Sequence, residues 1–239
     1  MVAGRSYSET MGRAPRITVP GLVYHVLNRR VMRLTLFNDD DDYLAFERVL
    51  SESLDRVDAP RLLAYCLMPN HWHLVVHANK RTNLSRWMQW TTVTHTHRWH
   101  AHTHTTGEGP LYQGRFKSFP VQTDEHFLNV CRYVEANAHR ARLVRRAEQW
   151  RWGSMWSRRN RKTLLSGRLQ AWPVRRPGNW SAQVNRRLDE SDLRTLRESV
   201  ARGTPLGVDR WRKRIASRLG LHTTLRPRGR PLKSSNKSS

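Results

Sequence analysis

A chain of 239 residues allows one domain of ordinary size with a smaller second unit or tail. Lys and Arg number 43 against 19 Asp and Glu, a formal net charge of +24 that solubility alone does not require, so a polyanionic partner is expected. Two cysteines exclude a disulfide scaffold, no apolar run reaches the length of a membrane span, and residues 1–16 carry no signal pattern, which together predict a cytoplasmic, membrane-free protein.

In chain order, residues 22–28 read as a first strand between Pro20-Gly21 and Arg29-Arg30. Asn38 and the acids Asp39 to Asp42 precede Tyr43, Leu44, Phe46, Val49, Leu50 and Leu54, an N-cap and helical apolar spacing that predict a helix over 39–57. Residues 62–68 and 71–77 are apolar strands joined by Pro69-Asn70, tight enough for an antiparallel hairpin. Leu84, Trp87, Met88 and Val93 mark a helix over 83–99, and a polar loop runs on to Pro110. Residues 118–121 supply a fourth strand, which Pro120 confines to a sheet edge. Thr123 as N-cap, with Asp124 and Glu125 behind it, opens a helix over 124–141 whose stripe is Phe127, Val130, Val134, Ala138 and Ala141. Cys66 and Cys131 lie inside apolar runs and read as buried thiols. This order predicts the α+β class, a ferredoxin-like or RRM-like sandwich of an antiparallel sheet with helices on it.

Beyond Trp156 the composition shifts to Arg, Pro and Gly. We therefore divide the chain into a tail (1–13), a main domain (14–157) and a basic C-terminal extension (158–239) with a helical pair near 193–200 and 210–219. Residues 140–239 hold 27 basic and 6 acidic side chains, so the charge lies mostly behind the main domain.

On a strand, the one-residue spacing of His71 and His73 puts both imidazoles on one face and Trp72 on the other, which is half of a metal site. Spacing alone is a weak signal. Tyr133 and Asn137 stand one helical turn apart on a common face, a phenol beside an amide. Taken alone, Tyr133 reads as a helix aromatic flanking the core. A phenol with a pKa near about 10 needs help to act as a nucleophile, and a metal polarising a phosphodiester supplies it.

The segments Leu67-Met68-Pro69-Asn70-His71-Trp72-His73-Leu74-Val75-Val76, Tyr112-Gln113-Gly114-Arg115-Phe116-Lys117-Ser118 and Arg132-Tyr133-Val134-Glu135-Ala136-Asn137 together resemble the REP-associated tyrosine transposases. These are single-tyrosine HUH enzymes of the insertion-sequence-200-like group, and the resemblance spans the main domain. It implies that His71 and His73 hold Mg²⁺ or Mn²⁺ with Asn137 as a third ligand. It also implies that Tyr133 attacks DNA to leave a 5′-phosphotyrosine and a free 3′-hydroxyl, with no need for ATP. The implied substrate is single-stranded or hairpin DNA of palindromic repeats. Ala138 stands where the family has proline, which predicts a straighter helix here.

Gln113, Arg115 and Lys117 suit DNA contacts around a Gly114 that permits close backbone approach; the alternative is a strand entry with a solvated basic face. His95, His97, His100, His102 and His104 read as a solvated helix end and loop rather than a zinc or nickel site. Arg226, Arg228, Gly229 and Arg230, within Arg226-Pro227-Arg228-Gly229-Arg230-Pro231, resemble an AT-hook for the A·T minor groove, against the alternative of a nonspecific basic tail. Two other readings stand beside strand transfer: a DNA-binding protein of the same fold without cleavage, and a phosphodiesterase that uses water. A monomer and a homodimer are both compatible with the sequence.

Overall fold

The computed structural model describes residues 16–226, so Arg228, Gly229 and Arg230 of the hook-like segment lie outside the described residues. Strands β1 (Val23–Arg29), β2 (Arg61–Met68), β3 (His71–His77) and β4 (Lys117–Val121) form one antiparallel sheet in the order β2-β3-β1-β4. The α+β class and the β2-β3 hairpin are as expected, with Met68 pairing His71 across the Pro69-Asn70 turn. Pro120 sits on the edge strand β4, where its missing N–H costs no ladder bond.

Side-chain alternation divides the core between the two sheet faces. Tyr24, Val26, Tyr65, Leu67, Trp72, Leu74 and Val76 pack with α1 (Asp40–Leu54) and α2 (Leu84–Thr103). Val23, Ala64, Cys66, Val75 and Phe119 face α3 (Glu125–Glu135) and the helices beyond it. Both cysteines are buried free thiols. The Asp39 carboxylate caps α1 by accepting from the Asp42 amide at 3.0 Å, and Asn83 does the same for α2. α2 outruns its predicted end and stops where His104 turns left-handed.

The helix bearing Tyr133 departs from expectation at both ends. Its cap is Asp124, whose carboxylate accepts from the His126 amide at 2.8 Å, rather than Thr123. It is not straight through 141 but breaks at Ala136 (ψ −1°), and α4 (Asn137–Arg140) follows as a separate turn. Arg140 folds back over the break, donating to the Tyr133 carbonyl at 3.4 Å and to Asn137 Oδ1 at 2.6 Å. A proline is thus not needed for the break.

Among the described residues, five further α-helices follow: α5 (Ser154–Asn160), α6 (Trp180–Asn185), α7 (Glu190–Arg202), α8 (Asp209–Leu219) and α9 (His222–Leu225). Residues on both sides of position 157 share one apolar cluster, in which Trp180, Val184, Leu193, Leu196 and Leu206 lie with Phe127 and Val130. The late segments also close the sheet. Leu206 exchanges backbone bonds with Pro120 and Gln122 beside β4, while Trp152 and Gln170 bond Leu67 and Leu62 of β2.

Candidate active site

His71 and His73 open β3 on the face that α3 covers, with ring centroids 4.9 Å apart. Trp72 points the other way into the α1/α2 core, where its indole N–H donates to the Tyr112 hydroxyl at 3.1 Å. Tyr133, buried near the end of α3, stands edge-on to His73 with centroids 5.8 Å apart. Asn137 opens α4, and the Arg140 guanidinium lies 4.2 Å from the Tyr133 ring centroid while holding the Asn137 oxygen. The Asn137 Nδ2 is buried with no hydrogen-bond partner among the described residues. A helix end and an inner strand therefore set the phenol beside His73, which neighbours His71, with the Asn137 amide joined to the phenol through Arg140.

Burial keeps the imidazoles neutral. His71 is pushed down to about 3 by burial, aided by the cations Arg29 and Arg140, and burial drives His73 well below the usual histidine range. Tautomers follow from partners. Asn70 Oδ1 can only accept, so at 2.5 Å it takes the Nδ1 hydrogen of His71 and leaves Nε2 with a lone pair. His73 Nδ1 lies 2.9 Å from Nε2 of His25, a buried β1 histidine.

No three His, Cys, Asp or Glu side chains group as a metal cage among the described residues. Two neutral imidazoles nonetheless suit Mn²⁺, or Mg²⁺ completed by water and phosphate oxygens. The Asn137 oxygen is partly committed to Arg140, though a carbonyl keeps a second lone pair for an ion.

Residues 18–137 match the family model described as transposase IS200 like. The chain belongs to the IS200-like transposase family. Membership implies transposase activity on DNA, in a family that is generally metal-dependent. Among solved structures, this transposase is similar to a REP-associated tyrosine transposase bound to a REP hairpin, at 16% identity and a TM-score of 0.52, over 75% of this chain and 100% of that one. That likeness shows a shared fold. A candidate transposase of Deinococcus radiodurans aligns at 17% identity and a TM-score of 0.36, over 56% of this chain and 96% of that one. No protein of curated function matches by sequence. No helix among the described residues is long and apolar enough to cross a membrane.

The transposase places its candidate DNA residues on the rim of the same sheet end. The loop before β4 is anchored to β1: Gln113 N donates to Arg29 O at 2.9 Å and Asn28 Nδ2 to Gly114 O at 3.2 Å. Gln113, Arg115 and Lys117 are exposed. Lys117 pairs Leu27, which pairs His73, so the lysine shares the imidazole row. Arg115 instead lines a cavity of about 680 Å³ with Asn28, Gln89, Thr92 and Phe116 against α2. Arg226 is exposed at the far end of the described chain, and its carbonyl accepts from Arg202.

Sequence reading missed three residues that build the site: His25, Asn70 and Arg140. His25 had a visible signal, a polar side chain between Val23 and Leu27 on a strand face that is otherwise apolar. Arg140 sits seven residues after Tyr133 on a helical face, but its fold-back over a break had none. The histidine run on α2 is also not uniform. His95 is buried and binds the Tyr112 hydroxyl at 2.7 Å, whereas His97, His102 and His104 are exposed.

Proposed function

We propose that this transposase cleaves and rejoins single-stranded or hairpin DNA through a covalent bond to Tyr133. The observation that carries the reading is the edge-on placement of the Tyr133 ring beside His73, on the face shared with His71. His71 and His73 would hold Mg²⁺ or Mn²⁺, which when bound would supply polarisation of the phosphodiester and neutralisation of developing charge. The Tyr133 oxygen bonds to phosphorus as the bond from phosphorus to the 3′ oxygen breaks, giving a 5′-phosphotyrosine and a 3′-hydroxyl. The phenol loses a proton and the departing oxygen gains one. Reversal with a second 3′-hydroxyl rejoins the strand, because the ester bond is conserved in the adduct.

Arg140 and Asn137 hold the phosphate in this scheme. The unpartnered Asn137 amide hydrogens are donors for a phosphate oxygen, and Arg140 places a positive charge beside the nucleophile. Gln113, Arg115 and Lys117 track the strand at the rim. Hairpin DNA as substrate is supported by the REP hairpin in the structurally similar transposase. Incubation with a hairpin oligonucleotide bearing a single-stranded flank and Mn²⁺ should give a protein–DNA adduct that survives denaturation. Tyr133→Phe should abolish it; cleavage that persists in Tyr133→Phe without an adduct would mean that water is the nucleophile.

A further inference from the structure

His25 is fully buried in β1, with no part in the scheme above. It pairs with Val75 in the register, two residues from His73, and its ring lies nearly parallel to that of His73 (11°, centroids 5.0 Å). Phe119 and Tyr133 contact it edge-on at 5.0 and 6.2 Å. Its Nδ1 is buried without a hydrogen-bond partner among the described residues.

The 2.9 Å separation of His25 Nε2 and His73 Nδ1 requires one hydrogen between them, and only two neutral arrangements exist. If His25 supplies it, His73 carries its own proton on Nε2 and has no lone pair to offer there. If His73 supplies it, Nε2 is free. Either way His25 Nδ1 is unmatched, as a bare lone pair or as a bare N–H, so the two forms carry similar penalties within the protein. A cation at Nε2 stabilises only the second.

We propose that His25 is a positioning residue that accepts the Nδ1 hydrogen of His73 and presents its Nε2 to the divalent ion, as Asn70 does for His71. The role rests on the metal reading above. Two ligands of one ion are thereby oriented by different means, one by its sequence neighbour in the hairpin turn and the other by an inner strand. Partners of this kind fix ring orientation and raise ligand basicity.

The test uses the full chain. Mn²⁺ binding is followed by the electron paramagnetic resonance of the free ion, and the imidazole tautomers by nitrogen-15 spectra of the Mg²⁺-loaded protein. His73 should be in its Nδ1–H form. His25→Leu should weaken Mn²⁺ binding by about 10–100-fold. His25→Gln, whose Oε1 can accept the same hydrogen, should stay within a few fold of the wild type. Wild-type affinity in a folded His25→Leu variant overturns the proposal, as does an Nε2–H His73. If the leucine variant does not fold, the glutamine variant and the wild-type spectra decide, and a glutamine variant as weak as His73→Ala overturns it. Mn²⁺ affinity that is the same in the wild type and in His71→Ala removes the metal reading itself; normal loading with an indifferent His25→Leu removes only the role of His25.

Discussion

Four buried or half-buried histidines cluster near the HUH strand, and all are held neutral. Burial pushes His25, His71 and His95 down to about 3 from an ordinary 6.5, and His73 well below its usual range. Below about pH 6.5 the unfolded chain takes up protons that the folded one refuses until about pH 3, so stability is fully present above that window and falls with pH through it. Glu47 runs the other way. Burial raises it to about 7, so between its ordinary 4.5 and about 7 the folded state holds the extra proton and loses stability as pH rises. Four imidazoles outweigh one carboxyl. The melting temperature should drop by several degrees between about pH 7 and about pH 5; a flat profile would show that these rings already carry charge in the native state. Trp72 and Tyr112 add a neutral link on the opposite face, where one hydroxyl joins the HUH strand, α2 and the loop before β4.

At the scale of elements, α3 must aim Tyr133, and Glu135 fixes α3 to its neighbours. Its carboxylate accepts from Ser154 Oγ and from the Trp180 indole, each at 2.6 Å, and so ties the helix to α5 and α6. Glu135→Ala orphans two buried donors at about 1–3 kcal/mol each. We expect a loss of about 2–6 kcal/mol in denaturant unfolding, with weaker adduct formation; unfolding like the wild type would mean water replaces the carboxylate. The strands and helices were legible in the sequence because period-two and helical patterns, caps and the Pro69-Asn70 turn all agree. The break at Ala136 was not, since Ala carries no local signal and the Arg140 contacts that span the break join groups brought together only by folding. The same holds for the site. HxH spacing placed two rings on one face, but the neighbour of β3 is set by strand pairing, so His25 could be seen as an oddity and not as a partner.

For the whole molecule, the single chain already places Tyr133 beside its own His73. Mixing His71→Ala with Tyr133→Phe should therefore not restore adduct formation; recovery would reveal a site shared between two copies. The region after residue 160 is as much part of the core as of the charged surface. Val184, Leu193, Leu196 and Leu206 are all buried. At about 1.5–3 kcal/mol per side chain, they rival the roughly 5–15 kcal/mol that holds a domain together. A chain ending at Asn160 should show no cooperative melt, and one that melts sharply would establish a free-standing catalytic unit.

The late segments lie along both borders of the sheet, against Pro120 and Gln122 on one side and Leu62 and Leu67 on the other. Borders left bare invite pairing with other chains. A premature stop codon in this stretch should thus leave not a weakened transposase but a product that clumps and is cleared.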